Sequence, residues 1–505
     1  MRERWFNYRP ICLSFAFLLL GSLFAFYVES FLVFCLSISI VAFVLLLLLA
    51  IFKKKPKYLI VPLVAFLVGA GAYNLAVLSF NNQQTKQPDI ISARIYQIDR
   101  PTDGRITVQA DSVKFDDKNA NTNIIIYIYD YDGLFIGIEI GANISFAPLK
   151  FYNNNLFSYD TPNARMYANN TKYSMTTNIS AIEIDGVDKT FAEIIKAKVK
   201  DNISLGLTNE NVELVYSSLF GEKEMLMESL YNSYRLSGVA HLLAVSGLHV
   251  GIIVGILLFI LRKCKINGWV QFGVVALFLL SYLSLCNFTV SAIRASIMAL
   301  VLMMANLLHR DYDSYNAISL AGIVIFMINP LSVFDVSFLM SFSCAFGIAI
   351  LYKPLRNGLI AMKFPKVIAE SLAMSLATTL ILVFIMAYYF QTLNVISIFA
   401  NIIIIPIFTI GFVIAFVVSL LSFIIPIIGY CLYPVNFIFD FIALISNILG
   451  NLPIANFATI TFHFIVIVIY FVLLLIFSRL CTAKYQYKIM ATIPIVVLIF
   501  CCLLY

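Results

Sequence analysis

Between Arg235 and Gly251 the chain reads RLSGVAHLLAVSGLHVG, which sets imidazoles, hydroxyls and glycines into an otherwise apolar run. Ionisable groups are costly in a bilayer and generally face protein or water there. His241, Ser246, Gly247 and His249 are therefore expected to line a path, with Gly247 permitting a helix break that exposes backbone groups to water. On one regular helix the two histidines would stand roughly 12 Å apart along the axis, too far for a shared metal. The remaining histidines, His309 and His463, complete no zinc-ligand set, and no CxxC pair occurs among the nine cysteines. No metal, cofactor or catalytic residue is expected.

Arg294 is the one basic residue well inside the later apolar runs. Placing an arginine near a helix centre costs roughly 2.5–3.5 kcal/mol on insertion scales, so water or a partner must offset it. Asp335 lies near the same end of its own run and is the candidate partner. Two readings stay open: a buried Arg294–Asp335 pair, or an Arg294 that faces the path. Asn401, inside the apolar block NVISIFANIIIIPIF, completes the candidate lining set. Ser291, Ala292, Ala295, Ser296 and Ala299 suit either pore lining or close helix packing.

The elements that must hold these residues follow from composition. The chain has 505 residues, 61% hydrophobic and 12% charged, which excludes a water-soluble globule. Charge-bounded apolar runs lie at about 11–28, 31–52, 59–80, 240–261, 268–290, 292–308, 316–333, 336–352 and 367–390. Two more spans are expected within 395–450, one at 458–478 and one at 489–505, which makes eleven to thirteen in all. The net charge of +7 looks like a polyanion signature, but 18 of the 34 Lys and Arg cluster in short gaps between runs. The positive-inside rule accounts for them. It places the N-terminus in the cytoplasm and the long polar insert, residues 81–235, outside.

Within that insert, residues 88–190 carry five short β-branched or alternating runs (90–98, 106–115, 124–131, 144–151 and 176–184) separated by turn signals. Five such strands suit a small β-barrel of the OB type. Tyr127, Tyr129, Tyr131, Phe135, Tyr152 and Tyr159 can stack nucleic-acid bases. However, 10 basic against 13 acidic residues over 86–189 gives no electrostatic funnel. Residues 191–235 show helical spacing, with Phe191, Ile194, Ile195 and Val199 on one face and Lys196, Lys198 and Lys200 away from it. This spacing predicts an amphipathic helix pair at the membrane surface. The expected organisation is N-terminal helices over 1–80, the β domain over 81–190, amphipathic helices over 191–235 and a transmembrane domain over 236–505.

The Arg235–Gly251 segment closely resembles the Gly-x-x-His-Leu-Leu-Ala-Val-Ser-Gly-Leu-His-Val pattern of the ComEC family of natural transformation. Three blocks agree in order: TVSAIRASIM from Thr289, NPLSVFDVSFLMSFSCAFG from Asn329 and NVISIFANIIIIPIF from Asn394. Asn154 to Ala168 resembles an element of the family's extracytoplasmic OB-type domain, with Leu156-Phe157-Ser158 where the family has Gly-x-Phe-Asp. The resemblance implies a multi-pass channel of the bacterial inner membrane that passes single-stranded DNA. It also implies a separate DNA receptor, nuclease and cytosolic helicase or ATPase. A homo-oligomer is consistent with it, the pore lying within one chain or between two. Many family members carry a metallo-β-lactamase-like domain with a His-x-His-x-Asp-His motif. No such string occurs here, so a form without that nuclease is expected. A polyanion cannot cross hydrocarbon, so an aqueous lining is required. Two rival classes remain. A secondary transporter of a small solute would use broken helices with midplane polar residues. An intramembrane serine hydrolase would use Ser246, yet His249 one turn away has no orienting carboxylate.

Overall fold

The computed structural model describes residues 9–27, 57–81, 88–98, 105–116, 118–120, 122–129, 140–153, 171–222, 226–452 and 456–458. The expected spans at 31–52, 458–478 and 489–505 lie outside the described residues, as do Tyr131, Phe135, Tyr159, His463 and the 154–168 element.

Two N-terminal helices, α1 (Pro10–Tyr27) and α2 (Lys57–Asn81), pack closely because glycines face backbone. A Cβ on Gly21 would stand 2.1 Å from the Phe66 carbonyl oxygen, and one on Gly69 2.2 Å from that of Leu18. Small residues allow such approach where hydrocarbon supplies no hydrophobic drive.

The polar insert folds into a mixed sheet. Its strands are β1 (Ile91–Ile98), β2 (Arg105–Phe115), β3 (Lys118–Asn119), β4 (Asn123–Tyr129), β5 (Ala142–Phe146), β6 (Lys150–Asn153), β7 (Thr171–Asn178) and β8 (Ile182–Val187). The order is β6-β7-β4-β2-β1-β5-β8, with β3 extending the hairpin on β2. β4 and β7 run parallel, and the other pairs are antiparallel. Alternation buries Ile91, Ala93 and Ile95 on β1 and Ile124, Ile126 and Ile128 on β4, while Tyr127 and Tyr129 face outward. Among the described residues the sheet has eight strands and is not closed, where a five-stranded OB-type barrel was expected. Closure would need its end strands paired, and β6 and β8 do not pair among the described residues. Pro148, which has no N–H for a ladder, divides the run 144–151, and a 3₁₀ turn at Ile179–Ala181 divides 176–184.

Three helices follow: α3 (Phe191–Ser204), α4 (Asn209–Phe220) and α5 (Glu228–Leu236). Thr190 and Glu193 form a reciprocal capping box that starts α3. The apolar face anticipated for α3 is only half buried: Val199 and Ile195 pack against the core, while Phe191 and Ile194 do not. Phe191 is 79% and Ile194 52% exposed, whereas Lys196, Val199, Asn202 and Ile203 turn inward. Lys196 can do so because its Nζ lies 2.6 Å from the Glu222 carboxylate. α4 is buried along most of its length rather than resting on a surface.

The remainder is helical: α6 (Gly247–Lys263), α7 (Gly268–Leu285), α8 (Val290–Leu307), α9 (Ser314–Ile328), α10 (Val336–Ala361), α11 (Lys366–Phe390), α12 (Ser397–Ile424) and α13 (Val435–Gly450). Short strands β9 (Thr392–Asn394) and β10 (Asn456–Ala458) pair antiparallel. Among the described residues five helices are long and apolar enough to cross a membrane, or six if the bent pair Pro426–Leu432 and Val435–Gly450 counts as one span. The connections α6–α7, α8–α9 and α10–α11 carry Lys265, Arg310 and Lys363. Those between α7 and α8, α9 and α10, and α11 and α12 contain no Lys or Arg.

Candidate functional site

The expected break in the Arg235–Gly251 segment is realised in four steps. α5 ends at Gly238, whose φ of +78° suits glycine and whose Cβ would strike the Ser397 Cβ at 2.4 Å. A single 3₁₀ turn spans Ala240–Leu243, Ala244 to Ser246 run extended, and α6 starts at Gly247. Asn394 holds the break from outside: its amide donates to the Arg235 carbonyl at 3.3 Å and its Oδ1 accepts from the Ser397 N–H at 3.0 Å. Ser291 adds a bond from α8, donating to the Val245 carbonyl at 2.7 Å.

This broken segment forms part of the wall of a cavity of about 2550 Å³ that runs between α8, α10, α11 and the first turns of α12 and reaches β1 and β2 of the sheet. Its wall is built by helical spacing. α10 contributes Ser337, Ser341, Cys344, Ile348 and Tyr352, and α11 contributes Ser371, Ser375, Thr378, Leu382 and Tyr389. Intervals of three and four residues keep one face of a helix on the cavity. From Glu370 to Phe390 the α11 wall extends about 30 Å, at roughly 1.5 Å per residue, which matches the hydrocarbon thickness of a bilayer. Hydroxyls dominate its polar surface. Some satisfy their own helix, as Thr378 does by donating to the Ser375 carbonyl at 2.9 Å. Other polar groups on the wall, Ser341 Oγ, Thr289 Oγ1 and Asn401 Oδ1, are buried without a hydrogen-bond partner among the described residues.

Charges on the wall are few and mostly neutralised. At the sheet end Arg94 bonds Glu193 and lies 3.6 Å from Asp111. Glu222 pairs with Lys196, and burial together with Glu222 pushes the neighbouring Tyr216 phenol above its usual range. At the opposite end Glu370 accepts from both Nε and Nη2 of Arg356, at 3.0 and 2.8 Å. Asp335 caps α10, accepting from the Ser337 N–H at 3.3 Å.

His241, Ser246, Gly247, Arg294, Asp335 and Asn401 all lie on this wall. His249 does not. It is fully buried, its ring 4.5 Å from that of Phe412 and 5.7 Å from that of Phe408. Its Nδ1 accepts the Ser246 N–H at 3.1 Å, so one turn of helix directs the imidazole back into the protein. The Arg294–Asp335 pair is not formed. Arg294 has no ion-pair partner among the described residues, and its Nε is buried without a hydrogen bond. The guanidinium lies instead 6.0 Å from the Phe342 ring centre, with Nη2 3.7 Å from where a Gly247 Cβ would be. In the small-residue set, Ala292 and Ser296 are buried in packing, while Ser291, Ala295 and Ala299 reach the wall. The Ser and Thr stripe of α11 was not anticipated, although its three- and four-residue intervals are present in the sequence. No group of three or more metal-ligating side chains occurs among the described residues.

The model of the competence protein family matches residues 218–483, more than half of the chain. The ComE operon protein 3 of Bacillus subtilis is 27% identical over 206 residues, 40% of this chain and 25% of that protein. The recombination protein 2 of Haemophilus influenzae is 27% identical over 169 residues, 32% of this chain and 21% of that protein. The matched stretches therefore span a quarter or less of these relatives. No solved structure matches the chain.

Proposed function

This chain is a ComEC-family competence protein, and from that premise we propose that it passes a single DNA strand through the bacterial inner membrane during natural transformation. The observation that carries this reading is the cavity, which follows α11 from Glu370 to Phe390 with hydroxyls at helical intervals. A strand of phosphodiesters needs a hydrated path of bilayer length. It must also leave that path again, which favours weak contacts over a dense row of fixed cations. The Ser and Thr hydroxyls along α10 and α11 and the mostly paired charges of the wall support this reading. The basic connections α6–α7, α8–α9 and α10–α11 would face the cytoplasm and the sheet the exterior. Tyr129 and Tyr152, exposed on the sheet, would offer stacking surfaces to an incoming strand. The receptor, the nuclease that removes the second strand and a motor would be separate proteins.

The test is uptake of end-labelled DNA into a protected cytoplasmic pool. Ser341→Trp or Ser375→Trp should reduce uptake at least tenfold at normal protein level, while DNA binding and degradation at the cell surface continue. Undiminished uptake in both variants would return the chain to the solute-transporter reading.

A further inference from the structure

Arg294 is unlike the other wall charges, because no carboxylate among the described residues meets its cost. Arg94, Glu193, Glu222 and Glu370 each hold a partner, and Arg235 lies exposed at the mouth. Arg294 is half-buried on α8, with its Nε orphaned and its guanidinium beside the Phe342 ring. An unpaired buried guanidinium is maintained only where something else supplies negative charge or water.

The surroundings indicate what that is. Gly247 faces Nη2 at 3.7 Å from its virtual Cβ, so no side chain covers the guanidinium from that side. Gly247 is also the first residue of α6, whose first-turn N–H groups have no intrahelical acceptor and carry the positive end of the helix dipole. A guanidinium, the positive end of a helix whose third N–H is capped by Ser246, and a bare glycine thus meet on the wall of one cavity. Asp335, the counter-charge that the sequence suggests, caps α10.

We infer that Arg294, with the first turn of α6, is an anion-binding station inside the cavity that takes one phosphodiester of the passing strand at a time. The inference rests on the strand-passage reading for its ligand, but the site itself is testable without transport. A single bidentate contact gives a phosphate a stopping point without a row of cations to trap the chain. It would thereby select an anionic backbone over neutral polymers.

Cys344 lies on the same wall and offers a native reporter. In membranes carrying the full chain, Cys344 is alkylated with an anionic and with a neutral methanethiosulfonate of similar size, and the modified peptide is quantified. The wild-type protein should favour the anionic reagent. Arg294→Gln should lower that preference about tenfold, the scale of one unit charge a few ångströms away in a partly wet site, and Arg294→Lys should retain most of it. On the unaltered protein, oligothymidylate should protect Cys344 whereas its uncharged methylphosphonate analogue should not, a comparison that needs no variant to fold. DNA uptake should fall at least tenfold in Arg294→Gln. An unchanged reagent preference in Arg294→Gln, or equal protection by both oligomers, overturns the station. Lost preference with normal uptake overturns its assignment to the DNA backbone. No labelling of Cys344 by either reagent overturns the water-filled path as well, which separates failure of the site from failure of the proposed function.

Discussion

At the residue scale, His249 and Arg294, both candidates for the wall, part ways. His249 sits in the most recognisable motif of the chain, yet it closes the helix break from inside by accepting the Ser246 N–H and filling the space before Phe412. His249→Ala should therefore destabilise the detergent-solubilised protein by about 2–4 kcal/mol, through a cavity plus a lost cap. His249→Phe keeps the ring but strands the Ser246 N–H and should cost only about 1–3 kcal/mol. Thermal unfolding of the two variants checks the order, and equal stability of His249→Ala and wild type would refute a structural role. A motif can show that a histidine is unusual in an apolar run. Whether it turns to the wall or into the packing depends on Phe408 and Phe412, more than 150 residues away.

At the element scale, α3 shows how a tertiary partner overrides amphipathic spacing. Three lysines at positions 196, 198 and 200 seem to mark a solvated face, but Glu222 and Asn287 receive Lys196 into the protein, which leaves Phe191 and Ile194 outward. Removing one partner of such a buried pair leaves an uncompensated charge. Lys196→Met or Glu222→Leu alone should each lower stability by about 3–5 kcal/mol, while the double variant should recover most of it. Unfolding midpoints of the three proteins decide this, and additive losses would mean the pair contributes nothing as a pair. Gly238 is the second element-scale constraint. Its φ of +78° and the Ser397 Cβ at 2.4 Å leave no room for a side chain. Gly238→Ala should displace the start of the broken segment and lower the amount of folded protein, and a wild-type level would show that α5 and α12 can separate there.

At the scale of the whole molecule, the proposed topology places the sheet on one side of the membrane and the α10–α11 connection on the other. A cysteine at Ser112 should react with a membrane-impermeant reagent in intact cells, and one at Lys363 only after lysis. Both positions are exposed, so access rather than burial decides the result. The sequence by itself determined the class, since 61% hydrophobic residues arriving in charge-bounded runs cannot make a soluble globule. It also determined the family, because the HLLAVSGLHV pattern is local and survives without neighbours. Periodicity located β1, β2 and β4 of the insert, because burial of one sheet face writes a two-residue alternation into a strand. It could not show that the sheet stays open, since the ends of a sheet are set by partners distant in the chain, such as the parallel β4–β7 pair. Nor could it distinguish wall from packing. Serines on α10 and α11 read alike in an apolar run, and only the way those helices lie against α8 turns Ser341 and Ser375 to the cavity. The same arrangement holds Asp335 at a helix cap and leaves Arg294 without a counter-charge among the described residues, because ion pairing requires a few ångströms of proximity that sequence spacing does not encode.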